Sequence, residues 1–168
     1  DLTVGENLAL FADLHGVPRT ARKDRFETVL QMTDLAGVTA RRAGALSGGM
    51  KQKLGIACAL VRQPALLLLA EPTVGVDPVS RRELWRIVYR LIEEAGVGVL
   101  LATAYLDEAD ACHKVILLHE GRIVLAGTPS DAHRRVDGRV FVVAPAPAEG
   151  PRDLQAAMMA GEQVESVI

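Results

Sequence analysis

Between Pro64 and Pro72 the chain runs Ala65-Leu66-Leu67-Leu68-Leu69-Ala70, an uninterrupted apolar stretch too short for a typical helix and bounded by prolines. A strand without polar alternation is expected to be buried on both faces, which is the environment of a parallel sheet. Val97 to Thr103 repeats the pattern after a stop at Gly96. Pro78 opens a long helical stretch through Ala95 between the two. The alternation predicts an α/β fold, a mostly parallel sheet flanked by helices.

The first sixty residues are helical in pattern. Thr3-Val4-Gly5-Glu6 has the form of a capping box and starts a helix from Val4 to Leu14. Pro18 begins a second, whose apolar positions Phe26, Val29, Leu30, Met32 and Leu35 recur at helical spacing up to an expected left-handed stop at Gly37. Ser47 is a candidate N-cap for a third, Gly49 to Arg62, with Leu54, Ala57, Cys58 and Val61 on one face. Beyond the second strand come a short helix, Leu106 to Ala111, a strand from Lys114 to His119, a turn at Glu120-Gly121 and a strand from Arg122 to Ala126. Val140 to Val143 reads as a strand, 144–151 as a Pro/Ala-rich connector, Asp153 to Ala160 as a helix and Gln163 to Ile168 as a strand.

Composition narrows the function classes. The 168 residues are 49% hydrophobic and 24% charged, ordinary for a globular domain with a core. Nineteen basic and 21 acidic residues give a net charge of −2, and three Phe, two Tyr and one Trp offer no stacking platform, so no nucleic-acid partner is expected. The apolar runs fall far short of the roughly 20 residues that a spanning helix needs. Cys58 and Cys112 lack metal-ligand spacing, and a reducing cytoplasm is the simplest fit. No metal site is expected. The start at Asp1, inside a segment that reads as structured, is expected to be a cut N-terminus.

Chemistry concentrates at three places. In Leu46-Ser47-Gly48-Gly49-Met50, two glycines admit close backbone approach, Ser47 adds a hydroxyl, and the following helix directs its positive end outward, the elements of an anion site. Standing alone, such a stretch is more often a turn that merely starts a helix. Glu71 follows directly after a buried strand, where ligands of parallel sheets gather. Asp77 precedes Pro78 and is a natural N-cap for the long helix.

Taken together, LSGGMKQK, LLLLAEPTVGVDP and LLATAYLDEAD resemble, in order, the signature loop, Walker B strand, D-loop and switch strand of an ATP-binding cassette (ABC) ATPase. The resemblance covers Asp1 to about Arg135 and implies a P-loop NTPase-like core from which the N-terminal part is missing. It implies that Leu46, Ser47, Gly48, Gly49 and Met50 bind the γ-phosphate of ATP held by an opposing cassette, with Met50 where glutamine is common. Glu71 is by the same resemblance the general base that orients the attacking water, and Asp77 the D-loop aspartate at the dimer interface. Two positions depart from the pattern. Ala70 stands where the family carries the Mg²⁺-binding Walker B aspartate, and Ala104 where it carries the switch histidine. No Gly-x-x-x-x-Gly-Lys-Ser/Thr loop occurs in the 168 residues. ATP and Mg²⁺ are therefore the implied cofactors, and this chain alone is expected to bind neither and to be inactive.

The expected organisation is a partial ABC ATPase domain over 1–136, comprising a helical subregion to about residue 62 and a core part from about 63, then a linker and incomplete extension over 137–168. The Thr3-Val4-Gly5-Glu6-Asn7-Leu8 start, Tyr105-Leu106-Asp107-Glu108-Ala109 and the Gly121 to Pro129 strand pair are similar to ATPase subunits of ABC-2 type exporters, with the switch departure fitting the first cassette of a tandem protein. The implied partners are a second cassette, as homodimer or tandem half, and a transmembrane permease that holds the protein on the cytoplasmic face of the membrane. The alternatives are a non-catalytic scaffolding module docking through Val4 to Leu35, or a truncated remnant. Losing a central strand is expected to leave open apolar edges.

Overall fold

The Thr3 capping box forms as its spacing requires. Thr3 Oγ1 accepts the Glu6 amide at 3.2 Å while Glu6 Oε2 accepts the Thr3 amide at 2.7 Å, and α1 runs Val4–Leu14. The computed structural model describes residues 1–136 and 150–160, in two compact units, Asp1–Leu106 and Asp107–Ile168. In the first unit α2 spans Arg19–Met32, α3 Gly48–Leu60, β1 Leu66–Ala70, α4 Pro78–Glu93 and β2 Gly98–Ala102. Short 3₁₀ turns at Ala36–Val38 and Ala43–Ala45 join α2 to α3.

The stop of α2 differs from the expected one. Gly37 lies inside a 3₁₀ turn, and the left-handed residue is Asp34 at φ 58°. The Leu35 amide reaches back to the Leu30 carbonyl at 2.9 Å and the Asp34 amide to Gln31 at 3.3 Å, the paired bonds of a Schellman ending. The stop comes early because Leu35, fully buried, must turn into the core, and an aspartate tolerates the left-handed region better than most side chains.

β1 and β2 pair in parallel, Leu66 opposite Gly98 through Ala70 opposite Ala102. Burial on both faces is not observed. Leu67 is 4% exposed, whereas Leu66 and Leu68 are 55% and 66% exposed, and Leu100 on β2 is also open. Successive strand residues point to opposite faces, so one layer of helices covers one set and leaves the other in solvent. The covered face belongs to a core that gathers Leu8 of α1, Val29 of α2, Ala57 of α3 and Ile87 of α4. Among the described residues β2 pairs with β1 alone.

In the second unit β3 (Val115–His119) and β4 (Arg122–Gly127) form an antiparallel hairpin. Glu120 at φ 48° and Gly121 at φ 74° make the two-residue connection, the backbone signature of a type I′ turn. The register slips between Leu117 and Leu118. The helix expected from Leu106 to Ala111 is the four-residue α5, Leu106–Ala109. α6, Pro129–Val136, is additional to the expected elements. α7 covers Pro151–Met159, close to the expected helix. The predicted strands at 140–143 and 163–168 and most of the connector lie outside the described residues.

Candidate functional site

α3 starts at the glycine pair because Ser47 caps it, its Oγ accepting the Met50 amide at 3.3 Å. The five residues of this loop face different ways. Leu46 is buried in the core, Met50 is half-buried, and Ser47 and Gly48 are exposed. Gly49 is buried against α4, where a Cβ built on it would meet Ser80 Cβ at 2.5 Å and Oγ at 2.8 Å. Ser47 and Gly48 are thus the exposed members of the loop, at the positive end of a 13-residue helix.

α4 begins beside this loop. A Cβ on Gly48 would lie 3.4 Å from the Gly75 carbonyl, in the turn that leads from β1 to α4. Asp77 caps the helix, its Oδ1 accepting the Val79 and Ser80 amides at 3.0 Å each, and Pro78 occupies the first helical position. The Ser80 side chain, then its amide, hold the Asp77 carboxyl below the ordinary aspartate value.

Glu71 sits at the end of β1 in a left-handed conformation, φ 49°. Its amide bonds the Ala102 carbonyl at 2.8 Å, and its Oε2 accepts the Ala104 amide at 3.3 Å. The parallel register therefore brings Glu71, Ala70 and Ala104 to one edge, with Ala70 opposite Ala102. Glu71 brings a carboxylate to this edge, its Oε2 accepting the Ala104 amide, and the two alanines supply methyl groups. Of these three side chains only that of Glu71 offers the oxygen ligands a divalent cation takes. Among the described residues no cluster of three or more His, Cys, Asp or Glu is arranged to hold a metal ion. Just past Ala104, Arg81 of α4 lies 4.3 Å over the Tyr105 ring.

Lys53 and Ser80 were not among the sequence candidates. Lys53 is buried on α3 and donates to Glu83 Oε2 of α4 at 2.9 Å, with Asp34 Oδ2 3.8 Å away. Its position four residues beyond Gly49, on the same helical face, was the available signal.

Residues 1–74 match the family model described as ABC transporter. The chain is 52% identical over 154 residues to the probable multidrug ABC transporter ATP-binding protein YbhF of Escherichia coli (strain K12), covering 92% of this chain and 26% of that protein. It is 39% identical over 152 residues to the doxorubicin resistance ATP-binding protein DrrA of Mycobacterium tuberculosis (strain CDC 1551 / Oshkosh), covering 89% and 44%. The solved structure of cbiO1 from Clostridium perfringens, part of the ABC transporter complex cbiONQ, superposes with a TM-score of 0.73 at 28% identity, covering 82% of this chain and 58% of that one. The chain spans about a quarter of the first relative's length and under half of the second's.

Proposed function

Because the chain belongs to the ABC transporter ATP-binding protein family, we propose that it acts in an exporter ATPase as the donor of a signature loop. Ser47 and Gly48 face ATP held by an opposing cassette, while the chain's own composite site is degenerate. The partner is a second cassette, and a permease holds the pair at the cytoplasmic face of the membrane. A multidrug and a doxorubicin-resistance protein among the relatives support the export of drug-like compounds.

The observation that carries this reading is the contrast between two neighbouring edges of the first unit. At the start of α3 the cap is made, the helix end is exposed, and Ser47 and Gly48 are open to an anion. At the ends of β1 and β2 the cation ligand and imidazole positions are methyl groups, and Glu71 accepts a backbone amide. The first arrangement serves a nucleotide held elsewhere, and the second does not assemble a site around Mg²⁺.

Gly48→Asp tests the proposal. At the first helical position an aspartate complements the helix dipole and leaves the fold intact, yet it sets a negative charge where the phosphate would lie. In the full protein with its partner cassette, ATP turnover should fall by about a hundredfold, the scale of losing one donor at a developing charge. Unchanged turnover by a folded variant would rule the signature reading out.

A further inference from the structure

The start of α3 is joined to α4 at two matched levels. On α3 these are Gly49 and Lys53, four residues apart, and on α4 Ser80 and Glu83, three apart, so each pair shares one helical face. At the upper level the absence of a side chain on Gly49 admits the Ser80 Cβ. At the lower level the Lys53 ammonium, its side chain 8% exposed, bonds Glu83, which is 38% exposed. Asp34, at the turn that ends α2, stands as a more distant second carboxylate.

The upper contact limits how closely the helices approach but not how they slide. A buried ammonium is different, because it is tolerated in the interior only while a carboxylate answers it. Sliding α3 along α4 by one residue, a rise of about 1.5 Å, would stretch the 2.9 Å bond and weaken the answer to a buried charge. Apolar neighbours such as Leu54 and Ile56 exact no such penalty for a small slip. Fixing register is the best attested role of ion pairs with a buried member, here Lys53.

We propose that Lys53 and Glu83 are positioning residues for the signature loop, setting the register of α3 on α4 so that the exposed Ser47-Gly48 backbone and the Asp77 cap form one rigid edge. The functional meaning of this edge rests on the signature reading above. Its geometry does not, and the test therefore uses no nucleotide.

Lys53→Met retains the length and apolar volume of the stem and removes the charge. Native-state amide exchange of the 168-residue chain would be followed at Met50 and Lys51, whose amides bond the Ser47 Oγ and carbonyl, with Leu8 and Ala12 of α1 as internal reference. Exchange at Met50 and Lys51 should rise about tenfold while α1 is unchanged, and Lys53→Arg should restore the parent pattern. A uniform rise across α1 and α3 would reduce the pair to general stability and overturn the proposal, as would no change at α3. If Lys53→Met does not fold, Glu83→Gln poses the same question with the same deciding outcomes. A failed Gly48→Asp test would sink the nucleotide reading while leaving this exchange result to stand or fall separately.

Discussion

Gly49→Ala is the smallest substitution that separates packing from ligand approach. The added methyl would stand 2.5 Å from Ser80 Cβ and 2.8 Å from its Oγ, against the 3.5–4.0 Å at which carbon pairs normally rest. Relief requires α3 and α4 to part by about 1 Å, and overpacking of this kind costs about 1–3 kcal/mol. Replacing glycine by alanine in a helix returns about 0.5–1 kcal/mol, less so at a helix start. The net expectation is a loss of about 1–2 kcal/mol, read as a lower urea midpoint at constant slope. Both Ser80 atoms crowd the methyl, so Ser80→Gly, and not Ser80→Ala, should relieve the strain. The double-mutant cycle Gly49→Ala with Ser80→Gly should therefore show a coupling of about 1 kcal/mol or more. A Gly49→Ala variant as stable as the parent, or a coupling indistinguishable from zero, would refute the packing account of Gly49.

Ser47→Ala removes the α3 cap and should cost about 1 kcal/mol in the same assay, while leaving α1 exchange unaltered. The Asp77 carboxyl is held below its unfolded value, so its stabilisation is complete above the unfolded pKa and is lost as pH falls through the folded one; Asp77→Ala should flatten the acid limb of urea midpoints measured from pH 6 to pH 2. Burial raises the Cys58 thiol to about 11, and a disulfide reagent at pH 8 should modify Cys112 first and Cys58 only at the rate of unfolding, an order that prompt reaction of both thiols would contradict. Ala70→Asp with Ala104→His should not give the 168-residue chain Mg²⁺-dependent nucleotide binding, because it contains no Gly-x-x-x-x-Gly-Lys-Ser/Thr loop; calorimetric titration with Mg·ATP checks this.

Features written in adjacent residues were legible, and those written across the fold were not. The caps at Thr3, Ser47 and Asp77 depend on amides two or three residues away, so local residue types, with Pro78 opening α4, located α1, α3 and α4. The α6 start was equally available: Thr128 and Asp131 cap each other around Pro129, with the Thr128 amide 2.8 Å from Asp131 Oδ2. Burial of β1 was overestimated because an apolar run reports what a strand tolerates, whereas coverage of Leu66 and Leu68 depends on what packs against them. The two glycines of the loop looked equivalent in sequence, yet Gly48 is exposed and Gly49 is held by Ser80, thirty-one positions on. For Lys53 the sequence offered only its place on the helical face of Gly49, since its partner Glu83 lies on another helix.

The contrast between the two edges argues against the reading as a truncated remnant. Ala70 and Ala104 lie at the ends of β1 and β2, where their methyl groups disturb nothing in the fold and Glu71 is still held by the Ala104 amide. At the start of α3 and α4, the Ser47 cap, the Asp77 cap, the Gly49–Ser80 contact and the Lys53–Glu83 pair are all made. These four are intolerant in three ways: two need a short polar side chain, one needs no side chain, and one needs opposite charges. A chain losing residues at random would break the more demanding edge first, because four independent requirements converge there. That edge is whole while Ala70 and Ala104 supply only methyl groups at the strand ends, and this contrast supports the proposed use of the loop by a partner cassette over a remnant.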